Sequence, residues 1–206
     1  MDIKELVRAT LTRPAAAAGV ILGIGLKRDV LWLGLLLAAV LNALIFSLSF
    51  QAAPPQPIEG MSAEEMEQME FLIGYFASPL RVALTVGLGL VMSVFAFYYG
   101  GRMLGGQGSL QDVLAVVTWW QFVGLGMSVV IMAIGVVSLG MAQMFSLLGN
   151  IWLLFALIGL ITGAHRFATM YRGIGTLALS LMLMAVGLLF VLTLIGLLMP
   201  MGASNV

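Results

Sequence analysis

Five stretches of this chain are too long, too apolar and too poor in charge to fold in water: 30–50, 80–100, 110–140, 145–164 and 174–199. About 20 apolar residues cross the hydrocarbon core of a bilayer. Inside that core every backbone N–H and C=O must be paired within the segment, which dictates helix. The third stretch exceeds one perpendicular crossing. Its span is therefore placed at 119–140, with the first two turns in the interface and Trp119 and Trp120 at the water boundary. Pro79 opens the second run, Gly100-Gly101 closes it, and Pro200 ends the last. The expected fold class is all-α, a polytopic transmembrane bundle of five spans with interfacial amphipathic helices.

Composition excludes the main rivals. Of 206 residues, 62% are hydrophobic and 9% charged, against about 25% charged in soluble domains. Net charge is zero, so nothing directs the chain to nucleic acid. With no Cys and one His, no disulfide or zinc site is expected. No cofactor is expected either.

Where the cations sit sets the topology. Lys4, Arg8, Arg13, Lys27 and Arg28 precede the first span, Arg102 follows the second, and Arg166 and Arg172 follow the fourth. With five spans all of these share one side, and only Arg81 lies opposite, beside Glu59, Glu64, Glu65, Glu67 and Glu70. The positive-inside rule then puts the N-terminus in the cytoplasm and the C-terminus across the membrane. The expected location is the cell inner membrane.

The segments outside the spans have their own logic. Residues 1–28 read as cytoplasmic or interfacial helices, 29–200 as the membrane domain and 201–206 as a short tail. Ile3, Leu6, Val7 and Leu11 fall on one helical face, opposite Lys4, Glu5 and Arg8, a pattern suited to lying in the interface. Residues 15–26 are apolar but too short to cross, so an interfacial or half-buried helix is expected. A signal peptide is the rival reading of this stretch, but Lys27-Arg28-Asp29 and a second apolar run follow it without a small-residue cleavage site. After the stiff linker 53–57, Ser62-Ala63-Glu64-Glu65 reads as a capping box opening an external acidic helix over 62–77, with Met66, Met69, Leu72, Ile73 and Phe76 on its apolar face. Ser109 and Asp112 form a second capping box after the glycine-rich 105–108. Those glycines lack the Lys-Ser/Thr ending of a phosphate-binding loop, so a flexible turn is expected.

Few side chains invite a functional role. Asn42 and Gln121 are the clearest polar groups inside the spans; they could line a pathway, and helix-to-helix hydrogen bonding is the preferred reading. Gly159 and Gly163 form a GxxxG, as do Gly19 and Gly23, and both permit close helix approach. Arg102, His165, Arg166 and Arg172 are candidate boundary or lipid-headgroup contacts. No paired carboxylates, nucleophile–base set or metal cluster is present in the sequence, so catalysis is not expected.

Leu11-Thr12-Arg13-Pro14 with a semi-apolar helix ending at Lys27-Arg28, the stretch Gly100-Gly101-Arg102-Met103-Leu104-Gly105-Gly106-Gln107-Gly108-Ser109 between spans two and three, and Leu157-Ile158-Gly159-Leu160 running to His165-Arg166 together resemble the Yip family of integral membrane proteins, first known for interacting with Rab/Ypt GTPases. The resemblance covers roughly 11–198 and implies a compact bacterial-type member. A Pro frequent in the third span of relatives is missing from 116–121, which withholds any inference of a kink. The cytosolic Rab-binding extension has no counterpart ahead of Pro14, so a Rab-type GTPase partner is not expected. What remains is a non-enzymatic protein acting through helix packing, with itself or with other membrane proteins, in membrane organisation. The alternatives are a small transporter or channel for a neutral or lipid-like solute, or an accessory subunit docking through the acidic helix.

Overall fold

The computed structural model of the chain describes residues 3–52, 55–56 and 60–198. The end of the expected fifth span, the tail and most of the 53–57 linker lie outside them. The described residues form eight helices: α1 (Ile3–Thr12), α2 (Pro14–Gly23), α3 (Arg28–Ala52), α4 (Ala63–Phe76), α5 (Pro79–Met103), α6 (Leu110–Val137), α7 (Leu139–Ala164) and α8 (Met170–Leu198). Five of them, α3 and α5 to α8, are long and apolar enough to cross a membrane.

Local chemistry sets the boundaries. Pro14 and Pro79 occupy first-turn positions, where a missing N–H costs nothing and φ is already helical. Both expected capping boxes form: Ser62 exchanges hydrogen bonds with Glu65, and Ser109 with Asp112. The turn between the third and fourth long helices falls at Ser138, not between 140 and 145. This one extended residue ends α6, and its hydroxyl accepts the Met141 N–H at 3.4 Å to open α7. Gly135 then meets Ala142 across a tight hairpin.

The molecule is unevenly packed along its length. At the cation-rich end, α6 is encircled: residues 113–118 are all buried, with α2, α3, α5 and α7 as neighbours. Leu31, Leu35, Val94, Phe97, Leu160 and Ile161 complete this core. At the opposite end α6 and α7 stand open, Val136 being 87% and Val137 85% exposed. In water such apolar exposure would be ruinous; against acyl chains it costs little.

The first two helices form a hairpin that the tryptophans tie down. Trp119 donates its indole N–H to Thr10 Oγ1 at 2.9 Å, and Trp152 donates to the Leu11 carbonyl at 3.3 Å. Trp120 donates to the Leu153 carbonyl at 2.9 Å. Trp119 and Trp120, expected to face the water boundary, thus use their polar edges inside the fold. On α1, Leu6 is buried, whereas Ile3, Val7 and Leu11 roof a cavity of about 900 Å³ whose floor is α6 and α7.

Helix α4 stands apart, with none of its residues buried. Its end is fixed to α3: Phe76 packs edge-on to Phe46 and tilted against Phe50, Ser47 donates to the Phe76 carbonyl at 3.0 Å, and Gln51 to the Ala77 carbonyl at 2.9 Å. Its start depends on ionised Glu65. The hydrogen bonds from Ser62 hold that carboxyl below its usual 4.5, so its stabilisation is present above 4.5 and fades as pH falls through the lowered value. Acid should therefore fray the first turn of α4, seen as faster protease cleavage there. Ser62→Ala should abolish this pH dependence; an equally strong dependence in Ser62→Ala would refute the capping account.

Candidate functional site

The ends of α5, α6 and α7 meet around one imidazole. His165 follows α7, and the chain turns sharply there: Arg166 takes a left-handed φ of 56°, Phe167 N–H returns to the Thr162 carbonyl at 3.0 Å, and Arg166 N–H to the Gly163 carbonyl at 3.1 Å. This is the Schellman closure that usually uses glycine. Arg166 occupies the position and sends its guanidinium to the Gln107 carbonyl at 3.2 Å and the Asp112 carboxylate at 3.3 Å. Asp112 therefore caps α6 and tethers the end of α7 at once. With Arg166 half-exposed, the ion pair itself contributes little, about 0–1 kcal/mol.

The turn drives His165 inward, where it is 1% exposed. His165 does end α7 at the boundary, but the buried ring cannot meet a lipid headgroup from there. Its Nε2 lies 3.1 Å from the Phe97 carbonyl. A carbonyl only accepts, so Nε2 carries the proton and Nδ1 presents a buried lone pair without a partner. Glycines make the room. A Cβ on Gly106 would sit 2.6 Å from Nδ1, one on Gly108 would sit 2.9 Å away, and one on Gly101 would clash with Nε2 and the ring carbons beside it. The expected flexible turn is in fact a collar, held by Gly106 N–H to the Gly101 carbonyl at 2.8 Å and Gln107 N–H to the His165 carbonyl at 3.0 Å.

Burial pushes the His165 pKa below 6.5, with Arg102 and Arg166 acting in the same direction and the Phe97 carbonyl and Asp112 opposing. A neutral, sequestered imidazole with no carboxylate in hydrogen-bond contact is built to hold three helix ends together. Arg102 and Arg172 are exposed at this end, close enough for Arg102 to influence the ring but outside the collar.

The other sequence candidates fall into separate places. Gly159 and Gly163 do not face a second molecule; they receive α2. A Cβ at Gly159 would meet Pro14 Cγ at 2.5 Å, and one at Gly163 would meet Ala18 Cβ and the Ala15 carbonyl. The other GxxxG is open: a Cβ added at Gly19 or Gly23 would meet no other part of the fold within 4 Å. Asn42 donates to its own helix at Ala38 O, 2.9 Å, and reaches the Gln121 side chain at 3.5 Å. At the long limit of a hydrogen bond, that link joins α3 to α6 weakly. Asn42→Leu and Gln121→Leu should each cost under about 1 kcal/mol, with a coupling of about 0.6 kcal/mol in a double-mutant cycle. Unfolding titrations in detergent measure this, and a coupling above about 2 kcal/mol would contradict it.

Sequence reasoning missed two polar ties. Thr10, 1% exposed, anchors Trp119. Ser180, fully buried, donates to the Ala96 carbonyl at 2.9 Å where Gly100 leaves space. The glycine doublet 100–101 was the available signal, since two adjacent glycines near a helix end suit two close neighbours. No group of three or more His, Asp or Glu that could hold a metal occurs among the described residues.

Comparison with family models finds a match, described as the Yip1 domain, over residues 8–199. Comparisons with curated proteins and with solved structures return no match.

Proposed function

The chain belongs to the Yip1-domain family, and from that premise we propose that this multi-pass membrane protein is non-enzymatic and works through helix packing, with itself or with other membrane proteins, in membrane organisation. Its place on this reading is the cell inner membrane, N-terminus in the cytoplasm and C-terminus opposite, among membrane lipids.

One observation supports this reading above the others: the polar side chains discussed above serve helix-to-helix ties, while large apolar faces of α6 and α7 are left uncovered. A carrier would gather its polar groups along a passage. Here Asn42, Gln121, Thr10 and Ser180 sit in separate pairings with neighbouring helices. Native mass spectrometry after gentle extraction tests the proposal. A defined oligomer or a stoichiometric co-purified membrane protein is expected; a strict monomer without partner would overturn it.

A further inference from the structure

On α7, one stripe keeps polar groups uncovered. Gln143, Leu147, Asn150 and Leu154 follow each other at steps of four, three and four. That is the 3.5-residue repeat of a two-helix seam. Gln143 and Asn150 are exposed, as are Leu147 at 63% and Leu154 at 49%. Continuing the same steps reaches Leu157 and Ile161, which are buried in the core of the chain itself. The seam is thus covered at the cation-rich end and uncovered beyond it.

Asn150 is inside the lipid zone. At 1.5 Å per residue it lies roughly 17 Å from the Leu139 end of α7 and roughly 21 Å from the Ala164 end, so neither end can hydrate it. Its side chain bonds from Nδ2 to Ser146 Oγ on the same helix, at 3.5 Å. The carboxamide oxygen is left without a donor. A carboxamide oxygen facing hydrocarbon without a donor is costly.

We propose that this stripe is the interface with a second copy of the chain, α7 against α7 across a two-fold axis along the membrane normal. The inference rests on the packing function proposed above and names the surface. Three observations select a second copy. The carboxamide is its own complement, one donor group and one acceptor, so Asn150 can satisfy Asn150 of the partner copy. No ionisable residue lies between 139 and 164 to select an oppositely charged partner. Copies inserted by one charge rule share an orientation, so a parallel pair brings like residues to like depth.

The chain has no cysteine, which makes the test clean. Single substitutions Leu147→Cys and Leu154→Cys, with Met144→Cys and Leu148→Cys as controls on other faces, are oxidised in native membranes. Dimers should form at 147 and 154 and not at 144 or 148. In the Leu147→Cys background, Asn150→Leu should weaken dimer formation roughly 3- to 30-fold, the range for polar contacts between membrane helices, and Asn150→Gln should retain it. A flat pattern over the four positions, a cross-link to a protein of another size, or indifference to Asn150→Leu overturns the proposal. An oligomer seen by native mass spectrometry beside a flat pattern rejects this seam while leaving the packing function standing.

Discussion

Gly101→Ala should be among the most damaging small substitutions in this protein, lowering stability by about 3 kcal/mol or more, the upper range for overpacking a filled core. The added methyl would enter the space of the His165 ring. That ring cannot retreat, because Gly106, Gly108 and Phe167 stand around it and the Phe97 carbonyl fixes Nε2. Thermal unfolding in detergent measures the effect. Removing the ring should restore room, so Gly101→Ala combined with His165→Ala should be more stable than the sum of the single changes allows. His165 also sets a pH dependence. Its folded pKa is below the unfolded 6.5, so its contribution is full above 6.5 and is lost as pH falls from there toward the lowered value. His165→Ala should flatten that part of the stability profile. Wild-type stability in Gly101→Ala would show that the collar is not closed around the ring.

Gly163→Leu should lift α2 off the bundle. Ala15 and Ala18 touch the bare backbone at Gly163, and Pro14 does so at Gly159; a leucine there must push α2 away. Trp119 and Trp152 still tie the end of α1 to α6 and α7, so α2 would swing away from α7 about that anchor. Ala17 is fully buried, so Ala17→Cys reports the event through its reaction with a maleimide. At about 1–3 kcal/mol of overpacking, labelling should rise roughly 5- to 150-fold. Gly19→Leu is the matched control, since open space surrounds Gly19, and it should leave labelling unchanged. Slow labelling in Gly163→Leu would mean that α2 is not seated by this glycine.

The contrast between the two GxxxG stretches shows where reading a sequence stops. Both are small residues four apart on an apolar helix, and no local rule tells the one at 159–163 from the one at 19–23. The difference is which face another helix covers. The same limit applies to His165: position after an apolar run marks it as a boundary residue, but the left-handed turn at Arg166 and three distant glycines draw it inside. Nothing in the sequence sets Asn150 apart from Asn42 and Gln121; the difference is that its side chain is exposed and bonds only within its own helix.

The amino-acid order alone determined the membrane class, the eight-helix pattern and both capping boxes, because these depend on hydrocarbon transfer and on contacts within a few residues. Tertiary structure decided which glycines receive a neighbour, that His165 is enclosed by a collar and that the α7 stripe is uncovered. Those outcomes depend on contacts between residues far apart in sequence, such as Phe97 with His165 or Pro14 with Gly159, and spacing along one segment carries no record of them.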